Sequence, residues 1–179
     1  MQRDGAVLGM VLRIFLRVIE QSLQAHCPGA ARADRAALHI GAVAFIHRFG
    51  SSLNEHVHFH VCVAGGVFEV VAGEVDADAQ ATAPCVFFDA PNLRFHPASG
   101  IDEAVVTQMQ ADLRRRILRA FVGRGLIESC DAKEMLAYQH SGFSVDASVR
   151  IEAQDRDIVN LRVTSEAARQ ATSPSRRWS

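Results

Sequence analysis

The segment before Pro28 repeats apolar residues at the spacing of an α-helix. Its apolar positions follow one another mainly in steps of three and four, while Arg13, Arg17 and Glu20 fall on the opposite side. The pattern predicts one amphipathic helix, ended by Pro28 and Gly29, whose apolar side packs on the rest of the protein. The apolar side consists of Val7, Leu8, Val11, Ile14, Phe15, Val18, Ile19 and Leu23.

Between residues 38 and 71 the pattern changes to that of short β-strands. Turn-forming residues occupy Gly50–Asn54 and Ala64–Gly66 and divide this region into three parts. The predicted strands are Ile40–Phe49, His56–Val63 and Val67–Val71. Short connections between consecutive strands predict an antiparallel meander.

The second half of the chain adds helices and further strands. Ser99 followed by Asp102 and Glu103 resembles a helix start with an acidic first turn, and Gly123 and Gly125 provide the end of the helix. A regular apolar and polar alternation over Phe143–Ile151 predicts a half-buried strand. Further predictions are a surface loop over 73–84, a strand over Cys85–Phe88, a helix over Ala132–Tyr138 and disorder from about Arg162 onward. Together these elements predict an α+β domain with a central, mostly antiparallel sheet against which helices pack.

Length and composition restrict the class of protein. The 179 residues are enough for one sizeable core and too few for two ordinary domains. A chain that is 49% hydrophobic and 22% charged is typical of globular proteins. The net charge of −1 gives no overall attraction to nucleic acid, so any contact with DNA depends on local patches. The four cysteines show no CxxC spacing, and no apolar run approaches the roughly 20 residues of a membrane span. We therefore expect a cytoplasmic protein without a membrane segment.

The stretch Glu55–Val63 carries histidines at alternate positions. In a strand His56, His58 and His60 share one face, and the apolar residues between them share the other. Neutral imidazoles are common metal ligands, and neighbours on one face are separated by a rise of roughly 6.6 Å, so an adjacent pair can chelate one ion. His56 and His60 lie roughly 13 Å apart along the strand, which keeps one histidine away from that ion. The alternation does not choose between His56/His58 and His58/His60, and structural histidines are the alternative to a metal site.

A cluster of arginines lies on the long predicted helix before Gly123. It consists of Arg114, Arg115, Arg116 and Arg119. Because arginine binds phosphate through two parallel hydrogen bonds, the cluster can hold the backbone of single-stranded DNA. A solvated helix face whose arginines pair with acidic neighbours explains the same sequence equally well.

The stretch Phe49–Gly66 resembles the signature region of insertion-sequence transposases of the two-tyrosine, rolling-circle class, which belong to the HUH nucleases. Further similar segments are Phe95–Gly100, Leu113–Arg119 and His140–Val145, and the resemblance covers about Met1 to Asp155. It implies that His58 and His60, with Phe59 between them, lie on a middle strand and hold the catalytic metal. His56 is then a secondary candidate. The family implies magnesium or manganese, whereas two imidazoles favour manganese or zinc.

The resemblance also implies a DNA strand transfer reaction. In the family a tyrosine attacks a phosphodiester of single-stranded DNA at a transposon end, and a divalent metal polarises the phosphate. The products are a 5′-phosphotyrosine and a free 3′ hydroxyl. The segment that should carry this tyrosine after the last strand is not found in the sequence. The only tyrosine is Tyr138, for which we expect a packing role and not catalysis.

This departure from the family pattern predicts an inactive transposase fragment that is truncated at both ends. Residues 1–155 are expected to form a partial catalytic domain, and residues 156–179 a divergent, disordered tail. Whether the fold is complete is left open, and the oligomeric state is not predicted. The alternatives are a remnant that binds metal or DNA without strand transfer, an unrelated histidine-ligated metal enzyme, and a product without a cellular role.

Overall fold

The computed structural model describes residues 5–49, 55–71, 93–138, 143–151 and 158–165. The predicted loop 73–84, the predicted strand Cys85–Phe88 and residues 166–179 lie outside these ranges. The helices described are α1 (Gly5–Ala25), α2 (Glu103–Gly123) and α3 (Ser129–Ala137). The strands are β1 (Leu38–His39), β2 (Ala42–Phe49), β3 (Glu55–Ala64), β4 (Gly66–Val70), β5 (Leu93–Pro97), β6 (Phe143–Ile151) and β7 (Ile158–Ser165). The predicted α+β class is confirmed, and the strand pairings within these ranges are antiparallel.

The strands form two sheets. The segment β1–β2 pairs along its length with β3–β4, and this long hairpin bends where it passes from one sheet into the other. One sheet has the order β2-β3-β7-β6 and the other the order β1-β4-β5. At the bend, a Cβ on Gly41 would lie 2.9 Å from the ring of Phe68, and a Cβ on Gly66 would collide with the carbonyl oxygen of His96. Glycine permits these close approaches because it has no side chain. The strand predicted from Ile40 therefore begins only at Ala42, beyond the bend.

One face of β3 packs against α1 and α2 and forms the core. Phe59, Val61 and Val63 on this face are at most 1% exposed. Phe15 of α1 and Leu113 of α2 belong to the same buried cluster. The apolar side predicted for α1 supplies most of its buried residues, so the amphipathic pattern is confirmed.

The ends of α2 and α3 follow from local backbone chemistry. Asp102 precedes α2, and its Oδ1 accepts a hydrogen bond from the amide of Val105 at 2.9 Å, so the helix begins after Asp102 and not at Ser99. The predicted acidic first turn is present at Glu103. Gly125, just after α2, has a φ of +65°, a conformation that favours glycine. The third helix begins at Ser129, earlier than the predicted Ala132.

The edge strand β6 has the range that the alternation predicts, and α2 packs against it. Gln110 of α2 accepts a hydrogen bond from the backbone amide of Val145 through its Oε1 at 2.9 Å. A side chain of the helix layer thus pairs with a backbone group of the sheet, which fixes the position of α2 on the sheet.

Besides the short β1, the strands β5 and β7 are not predicted by the sequence. β5 pairs with β4, and β7 lies between β3 and β6. The residues of β7 fall in the segment expected to be disordered, and that expectation is wrong for Ile158–Ser165. Because β7 has a neighbour on each side, ladder hydrogen bonds to distant strands stabilise it. The division into a domain over 1–155 and a tail over 156–179 stays a prediction.

None of the helices within the described ranges has the length and apolar character needed to cross a membrane.

Candidate metal centre

The hairpin of β2 and β3 brings three histidines to one face of the sheet. His58 and His60 alternate along β3 and so point to the same side. His47 of β2 is the direct cross-strand partner of His58. Directly opposed residues of antiparallel strands have side chains on the same face, so the register places His47 beside the other two.

The three imidazole rings are close enough to act together. The ring centroids are 5.0 Å apart for His47 and His58, 4.7 Å for His47 and His60, and 5.1 Å for His58 and His60. One ring nitrogen from each histidine lies within 4.8 Å of the others. Imidazole nitrogen is a ligand that zinc, manganese and related ions accept, so the donor set fits a divalent transition metal. Within the described residues, these three form the cluster whose spacing suits a metal ion.

The cluster runs from the interior to the surface of the protein. His58 is only 6% exposed, His60 is half-buried and His47 is exposed. A metal held by these groups would therefore be anchored on its His58 side and reachable from solvent on its His47 side. Catalytic metal sites keep such an open side, because substrate or water must occupy a coordination position.

The backbone under the cluster is held firmly. β3 is hydrogen-bonded to β2 on one side and to β7 on the other, where His58 pairs with Thr164 and His60 with Arg162. On the opposite face Phe59 lies in the core at 1% exposure. The alternation of β3 thus separates a packed face from a polar face that carries the histidines.

His47 is the site residue that sequence reasoning missed. The sequence signal that could have found His47 is the predicted hairpin, because pairing its two strands across Gly50–Asn54 brings His47 opposite His58. The side chain of His56, the secondary candidate, lies outside the described part of the chain. The assignment of His58 and His60 as metal ligands stays a prediction.

The four arginines of α2 do not form one surface. The guanidinium of Arg114 donates hydrogen bonds to the carbonyl oxygens of Met135 and Tyr138, and Arg115 pairs with Asp112. Arg116 lines a cleft of about 500 Å³ between α1 and α2, and Arg119 is exposed. Their role in DNA binding stays a prediction, but Arg114 has a structural contact that the sequence did not indicate.

Tyr138 directly follows α3. Its side chain is 56% exposed, so the packing role expected for this ring is not what the structure shows. Its carbonyl oxygen accepts the hydrogen bond from Arg114 at 3.0 Å. The described contact of Tyr138 with α2 is therefore made by its backbone.

One known family matches the sequence that forms the sheet and most of the helix layer. The model of the Y2_Tnp family, described as "Putative transposase", matches residues 41–163, which is more than half of the chain. The chain belongs to this transposase family. No curated protein and no solved structure matched it.

Proposed function

We propose that this chain forms the metal- and DNA-binding centre of a transposase, and that His47, His58 and His60 hold one divalent ion. The observation that carries the proposal is the convergence of three imidazole nitrogens within 4.8 Å in a member of a transposase family. Transposases act on DNA phosphodiesters, whose cleavage divalent ions assist.

The chemistry of the centre follows from the positions of its residues. An ion held by His47, His58 and His60 would supply Lewis acidity to a phosphodiester placed at the cluster. The three imidazoles lie on one face of the sheet, and the exposure of His47 lets a phosphate approach from solvent. The resemblance to HUH nucleases favours magnesium or manganese, and three imidazoles favour manganese or zinc over magnesium.

Strand transfer also needs a nucleophile. In the family reaction the tyrosine oxygen forms a bond to phosphorus, the bond to the 3′ oxygen breaks, and that oxygen ends as a hydroxyl by taking a proton. Tyr138 is the only tyrosine of the sequence, and its ring is largely exposed at the end of α3. We propose that this chain binds metal and single-stranded DNA but does not itself form the phosphotyrosine bond.

Calorimetry with Mn²⁺ tests the metal centre. We expect His47→Ala, His58→Ala and His60→Ala each to weaken binding at least about tenfold, because loss of a direct ligand costs no less than loss of a residue that supports one. His39→Ala is the matched control, since His39 is an exposed histidine on neighbouring β1. Equal affinity in all four variants would refute the metal assignment. A loss for His58→Ala and His60→Ala alone would remove His47 from the site.

A covalent-adduct assay tests the missing nucleophile. The protein is incubated with labelled single-stranded hairpin DNA and Mn²⁺, and the products are separated by denaturing electrophoresis. We expect no protein–DNA adduct in the wild type or in Tyr138→Phe. An adduct that Tyr138→Phe abolishes would make Tyr138 the nucleophile and overturn this part of the proposal.

A further inference from the structure

The edge strand β2 exposes an apolar stripe beside the histidine cluster. Val43, Phe45 and Phe49 are 58%, 53% and 57% exposed, and His47 lies between the two phenylalanines. Single exposed apolar side chains are ordinary, but several in one row indicate a surface that binds a partner.

We propose that Phe45 and Phe49 form a stacking platform for the bases of single-stranded DNA, one on each side of His47. This inference rests on the proposed function, in which the histidine cluster receives the phosphate. Phe45 is the cross-strand partner of His60, so one end of the platform adjoins the cluster directly. Phenylalanine rings stack on any base, which suits a protein that must hold a strand without base pairing.

The spacing of the strand supports this arrangement. Alternate residues of a strand are separated by a rise of roughly 6.6 Å, so Phe45 and Phe49 lie on opposite sides of His47 at similar distances along β2. A phosphate at the cluster therefore has an aromatic ring available for the nucleotide on either side. The register shifts between His47 and Phe49, so the cross-strand partner of Phe49 is Glu55.

The surroundings of the rings favour a nucleic acid over a protein partner. On β3 the residues opposite Phe45 and Val43 are His60 and Cys62, so the platform does not continue into a broad apolar face. Arg48 is the only charged residue of β2, but it alternates to the other face like Ile46, so the polar groups beside Phe45 are the histidines of the cluster. A narrow aromatic row beside the proposed phosphate site matches bases joined by an anionic backbone.

Binding to two oligonucleotides of equal length tests the platform. One is oligo-dT and the other is an abasic strand that keeps the phosphates and lacks the bases. We expect Phe45→Ala and Phe49→Ala each to weaken oligo-dT binding roughly 5-fold to 100-fold, the range for loss of one stacked base. Affinity for the abasic strand should not change. Ile46→Ala is the matched control, because Ile46 lies on the same strand at 40% exposure and alternates to the other face.

A fluorescence experiment reports stacking directly. Trp178 is the only tryptophan of the sequence, so Phe45→Trp in a Trp178→Phe background places the single indole on the platform. We expect oligo-dT to quench its emission and the abasic strand to leave it nearly unchanged. Equal quenching by both strands would contradict base stacking.

The outcomes separate this inference from the proposed function. If Phe45→Ala keeps Mn²⁺ binding and loses oligo-dT affinity, the platform is supported. If only the histidine variants lose Mn²⁺ binding, the metal centre is supported independently. Unchanged oligo-dT affinity in Phe45→Ala and Phe49→Ala would overturn the platform. So would an equal loss on the abasic strand, or a dimer in the wild type that Phe45→Ala dissociates without any change in DNA binding.

Discussion

Replacing Phe59 by alanine tests the division of β3 into a packed face and a histidine face. Phe59 is 1% exposed and belongs to the core cluster with α1 and α2. Truncating a buried phenylalanine costs about 3–5 kcal/mol, because transfer energy is lost and a cavity remains. With a urea dependence of about 2 kcal/mol per M, a loss of about 4 kcal/mol lowers the unfolding midpoint by about 2 M. Urea unfolding followed by far-UV circular dichroism measures this shift.

The matched control is Phe45→Ala on the neighbouring strand. Phe45 is 53% exposed on the histidine face, so its truncation should change the free energy of unfolding by no more than about 0.5 kcal/mol. Both variants truncate a phenylalanine of the same hairpin, and they differ only in the face of the sheet on which that phenylalanine lies. A slip of one residue in the pairing would exchange the faces. Similar losses in both variants, or the larger loss in Phe45→Ala, would therefore refute the assignment of faces.

Three smaller predictions concern the helix layer and a buried thiol, and each is checked by urea unfolding. Asp102→Ala should destabilise the protein by about 1 kcal/mol through loss of the α2 cap, and Asp102→Asn should restore most of this. Burial raises the pKa of the Cys27 thiol above its ordinary value of 9.0. The contribution of the thiol to stability is therefore complete below pH 9 and falls as the pH rises through the folded-state pKa. Cys27→Ala should remove this loss of stability at alkaline pH. Arg114→Ala should cost about 1–3 kcal/mol because it leaves the Met135 carbonyl unpaired, whereas Arg119→Ala should leave stability nearly unchanged. A comparable loss in the two arginine variants would contradict the structural role of Arg114.

The sequence predicts the elements whose signals are local. The amphipathic pattern of α1, the acidic start of α2 and the alternation of β6 each lie within one continuous segment, and the structure confirms them. The alternation of His58 and His60 is of the same kind, because strand geometry alone decides which residues share a face. Such signals do not depend on which distant segment packs beside them.

The remaining features depend on pairing between separate segments. His47 joins the cluster only through the register of β2 against β3, and neither strand alone shows that partnership. β7 is separated from β3 by a longer stretch of sequence than β2 is, since His58 of β3 pairs with Thr164 of β7. Val159 to Thr164 alternate between apolar and polar residues, so β7 carries a local strand signal that the expectation of a disordered tail overlooked, but this signal does not show where the strand pairs. Its neighbours on both sides supply the hydrogen bonds that make it a strand.

The separation of faces has a consequence for experiments on the candidate site. The helices pack on the side of β3 that carries Phe59, whereas His47 and Phe45 expose their side chains on the other side. Stability therefore depends mainly on one face, and the proposed metal and base contacts depend on the other. Substitution of an exposed side chain away from the core changes stability little. A loss of metal or DNA binding in the His47 or Phe45 variants can then be attributed to the site itself and not to unfolding. His58 is the exception, because it is 6% exposed and its replacement can disturb both faces of the strand.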